Sequence, residues 1–221
     1  MYQPAHFVEQ DAQTLLHLMQ AAPLATLIRS GAELAADVLP LEVERVGDGW
    51  RITGHVARAN PLWREADGQP VLVVFQGPQG YVSPSWYASK AEHHKVVPTW
   101  NYTMVQAHGT LRAIDDPAWV RAFVTRLTEA HESGREMPWH VSDAPDDFIA
   151  ATQRAIVGIE IVVSRLEGKF KLSQNRSAAD RTGVMLGLDA DAVQQRQPEA
   201  GALAQAMQAV EQRRLAGDSA S

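Results

Sequence analysis

From Thr103 to Ile114 the chain alternates. Val105, Ala107, Gly109, Leu111 and Ala113 fall on one face; Gln106, His108, Thr110 and Arg112 fall on the other. A period of two predicts a half-buried β-strand. Val71-Leu-Val-Val-Phe75 has no polar position, which predicts a buried strand, and Gly77-Pro78 and Gly80 punctuate its end. Ile156 to Leu166 is a third apolar, β-branched run. Nearer the start, Leu24 to Ile28 reads as a short strand and Arg29-Ser-Gly-Ala as a hairpin turn. Leu34 to Val46 reads as the next strand, with Pro40 marking an edge or a bulge. Gly47-Asp-Gly49 then turns the chain into Trp50 to Ala57. Segments joined by tight turns predict antiparallel sheet.

Helical spacing appears between these runs. Asp11 caps a first helix carrying Leu15, Leu18, Met19 and Ala22, and Pro23 stops it. Asn60 followed by Pro61 predicts a short helix start. Asp115-Asp-Pro117 opens a longer helix with Val120, Phe123, Val124, Leu127 and His131 on one face, ended by Gly134. Trp139 to Pro145 reads as a loop, Asp146 to Ala155 as a helix, and Ser177 to Gly187 as another. The Ala-rich stretch from Glu199 to Leu215 carries a thin stripe of Leu203, Met207 and Val210 that docks on the barrel or on a partner chain. Gly217 to Ser221 is expected to fray. With no repeat and no linker, residues 1–198 read as one domain and 199–221 as a C-terminal helix and tail. The expected fold is mainly β or α+β: a strongly twisted antiparallel barrel with peripheral helices.

Composition narrows the function. The 221 residues include no cysteine, which excludes disulfides, thiolate metal sites and a cysteine nucleophile. The first residues lack a signal-peptide pattern and no apolar run is long enough to span a membrane, so a cytoplasmic protein is expected. The net charge of −6 gives no long-range attraction to nucleic acid. Lys169, Lys171, Arg176 and Arg181 are the best candidates for a local basic patch, or form a solvated surface.

The densest chemistry lies between Phe75 and Tyr102. Tyr81, Ser83, Ser85, Trp86, Tyr87, Thr99, Trp100 and Tyr102 gather hydroxyls and aromatics after a buried strand. Such a stretch either binds a flat ligand with a polar tail or packs as a rim of aromatics. Ser83 followed by Pro84 is a helix-start signature, serving as a phosphate site or as a plain cap. Arg58, just past a strand end, either pairs with a phosphate or is solvated, and His55 is a hydrogen-bonded histidine in the bland reading. His93-His94 lacks an acidic partner at ligand spacing, so no metal is expected. No dinucleotide fingerprint, Walker loop, nucleophile elbow, zinc-protease motif or helix-turn-helix is evident, and no residue stands out as a catalytic proton donor.

Five segments carry a family resemblance: Met1-Tyr-Gln-Pro-Ala-His-Phe7, Gly54-His-Val-Ala-Arg-Ala-Asn-Pro-Leu-Trp63, Phe75 to Tyr87, Val97-Pro-Thr-Trp-Asn-Tyr102, and Glu167-Gly-Lys-Phe-Lys-Leu-Ser-Gln-Asn175. In order and over most of the chain, they resemble the PaiB family of FMN-binding negative transcriptional regulators. That family is similar to the split β-barrel flavoproteins related to pyridoxamine-phosphate oxidases. The resemblance implies a homodimer with FMN at the subunit interface, and a repressor that contacts DNA directly or acts through another regulator. It places Arg58, Ser83 and Ser85 near the phosphate, with His55 and Asn60 in support. Thr99, Trp100 and Asn101 would line the ring or its polar edge, from the same or the second subunit, and Trp86 joins the cofactor-binding set. Lys171, Ser173, Gln174 and Asn175 would close the site. An FMN-dependent oxidoreductase and a barrel that has lost its cofactor are the competing readings.

Overall fold

The computed structural model describes residues 1–31 and 33–218. The strands are β1 (Val8–Glu9), β2 (Leu24–Arg29), β3 (Ala35–Pro40), β4 (Glu42–Val46), β5 (Gly49–Ala57), β6 (Pro70–Val82), β7 (Thr99–Ile114) and β8 (Ile156–Lys171). The helices are α1 (Ala12–Ala21), α2 (Leu62–Glu65), α3 (Lys90–His93), α4 (Pro117–Glu132), α5 (Asp146–Arg154), α6 (Ala178–Val193) and α7 (Ala200–Asp218). Two units emerge. One comprises Met1–Leu15, Gln76–Val105 and the chain from Glu167 onward; the other comprises Leu16–Phe75 and Gln106–Leu166. Strands β6, β7 and β8 run through both.

The second unit carries the sheet order β3-β2-β6-β7-β8-β5-β4. The pairings β2–β3, β2–β6, β4–β5 and β5–β8 are antiparallel, as the tight turns predict. Leu27, Ile52, Val73, Phe75, Ala107, Leu111, Val157, Ile159 and Ile161 are buried in it. The expected single strand from Leu34 to Val46 divides at Pro40. β3 pairs with β2 while β4 pairs with β5, so one extended segment supplies both ends of the sheet path. Pro40, which lacks an N–H to donate, marks this change of partner, and the Leu41 N–H instead donates to Pro23 O at 2.8 Å. Gly54 opposes the bend: a Cβ there would lie 2.5 Å from Leu41 Cδ2. Helix α4 starts as predicted, with Asp116 Oδ1 accepting the Ala118 N–H at 2.9 Å and Val120 and Phe123 buried.

In the first unit, β1 pairs with the end of β8, Val8 opposite Lys169. Several expectations change here. β6 does not stop at Gly77-Pro78 but continues to Val82. Its ladder with β2 ends at Val74, so Pro78 falls on a stretch with one side unpaired by β2, where proline is tolerated. The outer backbone groups of Tyr81 are met by one side chain: its N–H donates to Gln197 Oε1 at 2.7 Å, and Gln197 Nε2 donates to Tyr81 O at 3.1 Å. The polar loop before Thr99 contains the short helix α3, and β8 extends to Lys171 rather than ending at Leu166. Helix α6 runs past Gly187 to Val193, and α7 buries Leu203, Ala204 and Met207, close to the stripe expected. Residues 219–221 of the expected frayed tail lie outside the described residues. No helix among the described residues is long and apolar enough to cross a membrane.

Candidate functional site

On β7 every odd position from Asn101 to Leu111 is buried. The phase that holds Val105, Ala107 and Leu111 therefore carries Asn101 and Thr103 inward as well. Asn101 is only 1% exposed, and a buried amide needs partners. Its Nδ2 donates to Ser173 Oγ at 2.9 Å and lies 3.6 Å from Met207 Sδ; Ser173 Oγ also approaches Asn101 Oδ1 at 3.3 Å. Ser173 has φ +63°, a left-handed conformation uncommon for a residue with a Cβ. Gln174 clamps the same turn. Its Oε1 accepts the Leu172 N–H at 2.7 Å and its Nε2 donates to Phe170 O at 2.5 Å.

The preceding residue, Lys171, supplies charge. Its Nζ donates to Thr99 Oγ1 and to Trp100 O, both neutral acceptors. Burial, then the positive charges of Lys169 and Arg176, hold its pKa below the ordinary lysine value of 10.5. Lys169 lies over the Tyr2 and Tyr102 rings, and Arg176 lies 4.9 Å from the centre of the Tyr87 ring. Next to Thr99, Trp100 is 54% exposed and meets Tyr81 edge-on at 6.3 Å. An amine short of negative charge, hydroxyls and an exposed indole thus lie within one unit. That chemistry fits a phosphorylated planar ring: cations and hydroxyls for the phosphate, an aromatic face for the ring. Arg176 and Tyr81, absent from the expected flavin set, belong to this neighbourhood.

The Ser83 turn lies in the same unit. Ser83 Oγ accepts the Ser85 N–H at 3.2 Å, as the capping signature predicts, and Lys90 Nζ donates to Ser85 Oγ at 3.1 Å. Trp86 packs against α6. A Cβ on Gly187 would lie 2.2 Å from its indole, and one on Gly183 would lie 2.0 Å from its carbonyl oxygen. Ser89 donates through N–H and Oγ to Asp180, at 2.9 and 3.0 Å, on the same face of α6. Asn175 is exposed.

His55, Arg58 and Asn60 belong to the second unit, where each has structural neighbours. Arg58 makes a two-pronged ion pair with Asp115 at 2.6 and 2.7 Å and donates Nε to Arg154 O at 2.7 Å. A phosphate would have to share or displace that carboxylate. Asn60 Nδ2 donates to Asp37 at 2.8 Å, while its Oδ1 accepts the Leu62 N–H at 2.9 Å to start α2. His55 packs edge-on against Phe123 at 5.8 Å; its Nδ1 is buried without a partner, and burial lowers its pKa below 6.5. Among the described residues no group of three His, Asp or Glu side chains could hold a metal.

Residues 1–165 match the family described as "Putative FMN-binding domain". The chain is 32% identical over 188 residues to "Protease synthase and sporulation protein PAI 2" of Bacillus subtilis, covering 84% of this chain and 87% of that one. Among solved structures, it resembles the FAD and heme binding protein of Mycobacterium smegmatis with a TM-score of 0.57 at 18% identity, over 79% of this chain and 78% of that one. It also resembles the flavocytochrome Anf3 of Azotobacter vinelandii with a TM-score of 0.54 at 18% identity, over 80% and 75%. At such identities these two show the fold alone. The sheet with its flanking helices is the antiparallel split β-barrel expected from the sequence. The family match covers most of the chain and the relative from Bacillus most of its own length, so this chain belongs to the FMN-binding domain family, in its PaiB-like branch, with FMN as cofactor.

Proposed function

We propose that the chain is a dimeric flavoprotein regulator that holds FMN through the first unit. The observation that carries this reading is Lys171: a half-buried ammonium whose hydrogen-bond acceptors are neutral, flanked by Lys169 and Arg176. An incoming phosphate would relieve both the desolvation and the crowding of positive charge. Thr99 adds a hydroxyl against that charge, Ser85 adds one beside Lys90 in the same unit, and Trp100 offers a face for the ring. Asn101, Ser173 and Gln174 hold the turn that aims Lys171 and position it without touching the ligand. Bound FMN supplies reversible electron and hydride transfer; the chain supplies binding and orientation. Homodimerisation is supported by the exposed apolar side chains Val97, Trp100 and Tyr81 in this unit.

The regulatory role is taken from the family resemblance, which the match to the Bacillus protein over most of both chains supports. The net charge of −6 favours action through another protein over direct reading of DNA. A second reading is an FMN-dependent oxidoreductase, in which the hydride chemistry belongs to the flavin and the chain supplies binding and orientation.

The purified protein should show flavin absorbance or acquire it with added FMN, and sediment as a dimer. A colourless protein that takes up no FMN would overturn the cofactor assignment, and a monomer with FMN bound would overturn the dimer. Rapid bleaching by a nicotinamide donor with multiple turnovers would select the oxidoreductase. Salt-dependent, sequence-selective DNA binding would replace indirect regulation by direct contact.

A further inference from the structure

A cavity of about 240 Å³ lies in the first unit between α6, α7 and the turn after β8. Its apolar wall includes Leu172, Met185, Met207 and Val210. Its charged lining is unbalanced: three guanidinium groups, Arg176, Arg181 and Arg214, accompany one carboxylate, Glu211. Arg181 and Glu211 satisfy each other through two hydrogen bonds, of 2.8 and 2.7 Å, and Arg181 Nη1 donates to Arg176 O at 2.6 Å. The excess positive charge therefore comes from Arg176 and Arg214. These residues lie past residue 165, where the family match ends.

We propose that this cavity binds a small organic acid: one carboxylate on a short alkyl chain or a single aromatic ring. The carboxylate would pair with Arg214 and Arg176, and the apolar body would lie on the two methionines, whose flexible thioethers adapt to varied shapes. Its volume is below the range usual for drug-sized ligands, which limits the occupant to about a single ring or a chain of roughly eight carbons. A dinucleotide or an entire flavin is too large. The site is also coupled to the proposed flavin neighbourhood. Met207, in the cavity wall, contacts Asn101 Nδ2, and Asn101 holds Ser173 two residues from Lys171. An acid that moves Met207 would thus act on the turn that aims Lys171, which makes it an effector of the regulator. Binding of the acid does not depend on the flavin reading; only the effector role does.

The test uses the full chain, with and without FMN, titrated calorimetrically with octanoate and benzoate and, as uncharged controls, octanol and benzamide. At least one acid should bind saturably, and its uncharged counterpart at least tenfold more weakly. Arg214→Gln should weaken acid binding about tenfold, and Val210→Trp, which fills the cavity, should abolish it. Both variants should keep their FMN affinity without acid, which also shows that they are folded. Absence of saturable acid binding to the wild-type chain overturns the proposal, as does binding that survives in both variants. Saturable acid binding without FMN uptake would leave the cavity assignment standing and remove the flavin reading. An FMN affinity in wild type unchanged by saturating acid would remove the effector role alone.

Discussion

Asn101 and Ser173, 72 residues apart in the chain, are joined by a 2.9 Å hydrogen bond between Nδ2 and Oγ, with both residues buried. The bond ties the start of β7 to the end of β8 and holds a serine in a left-handed conformation. Asn101→Leu should therefore remove a partner from Ser173 and release that turn. Unmet buried polar groups cost about 1–3 kcal/mol. A urea denaturation series should show that loss, with weaker FMN binding in the folded variant. Unchanged stability would show that the pair contributes nothing net.

Lys171→Met should lower FMN affinity at least tenfold, because it removes a half-buried cation whose hydrogen-bond acceptors are neutral. Arg58→Ala should cost less, since its guanidinium is already engaged by Asp115. Flavin fluorescence titrations of both variants compare the two. An equal or larger loss at Arg58 would move the phosphate to the second unit.

The pH dependence of FMN binding follows from the same lysine. Burial, with Lys169 and Arg176, lowers its pKa in the free protein, and a bound phosphate would raise it again. Affinity should be highest while the amine is protonated and should fall as the pH rises through its lowered pKa. Binding in that window should be accompanied by proton uptake, measurable by calorimetry in buffers of different ionisation heat. Lys171→Met should abolish the uptake.

Gly187→Ala places a methyl group where the Trp86 indole lies, 2.2 Å from the nearest ring atom. Overpacking of this kind costs about 1–3 kcal/mol. Thermal unfolding should show the loss, and adding Trp86→Ala should relieve part of it. A strictly additive double variant would show that the ring and the helix are not in contact.

His55 gives stability a dependence on acid. Burial lowers its pKa in the folded chain below the ordinary 6.5, so the unfolded chain takes up a proton first as the pH falls. Its contribution is complete above 6.5 and is lost as the pH drops from 6.5 through the folded value. Urea midpoints for the wild type and His55→Phe should diverge in slope across that window. Parallel curves would assign the acid sensitivity elsewhere.

Much of the barrel was legible in local pattern. The alternation along β7 predicts its buried face, and extending that alternation backward two further steps reaches Thr103 and Asn101. Asp116 with Pro117 and Ser83 with Pro84 predict their helix starts because a cap needs only neighbouring residues. Long-range pairings were not legible. Nothing near Arg58 points to Asp115, 57 positions away, and nothing near Trp86 points to the glycines of α6. Gly77-Pro78 looks like a terminator because local propensity cannot show that one side of the strand is no longer paired with β2. Pro40 was legible as an irregularity, but the change of partner it marks depends on where β2 and β5 lie.

The amide of Gln197 acts as a strand one residue long. By offering an acceptor and a donor to Tyr81, it covers a pair of backbone groups that would otherwise face outward at the end of β6. Exposed ladder groups of this kind template the addition of foreign strands. A single glutamine between two helices therefore occupies the two groups an incoming strand would need at this rim.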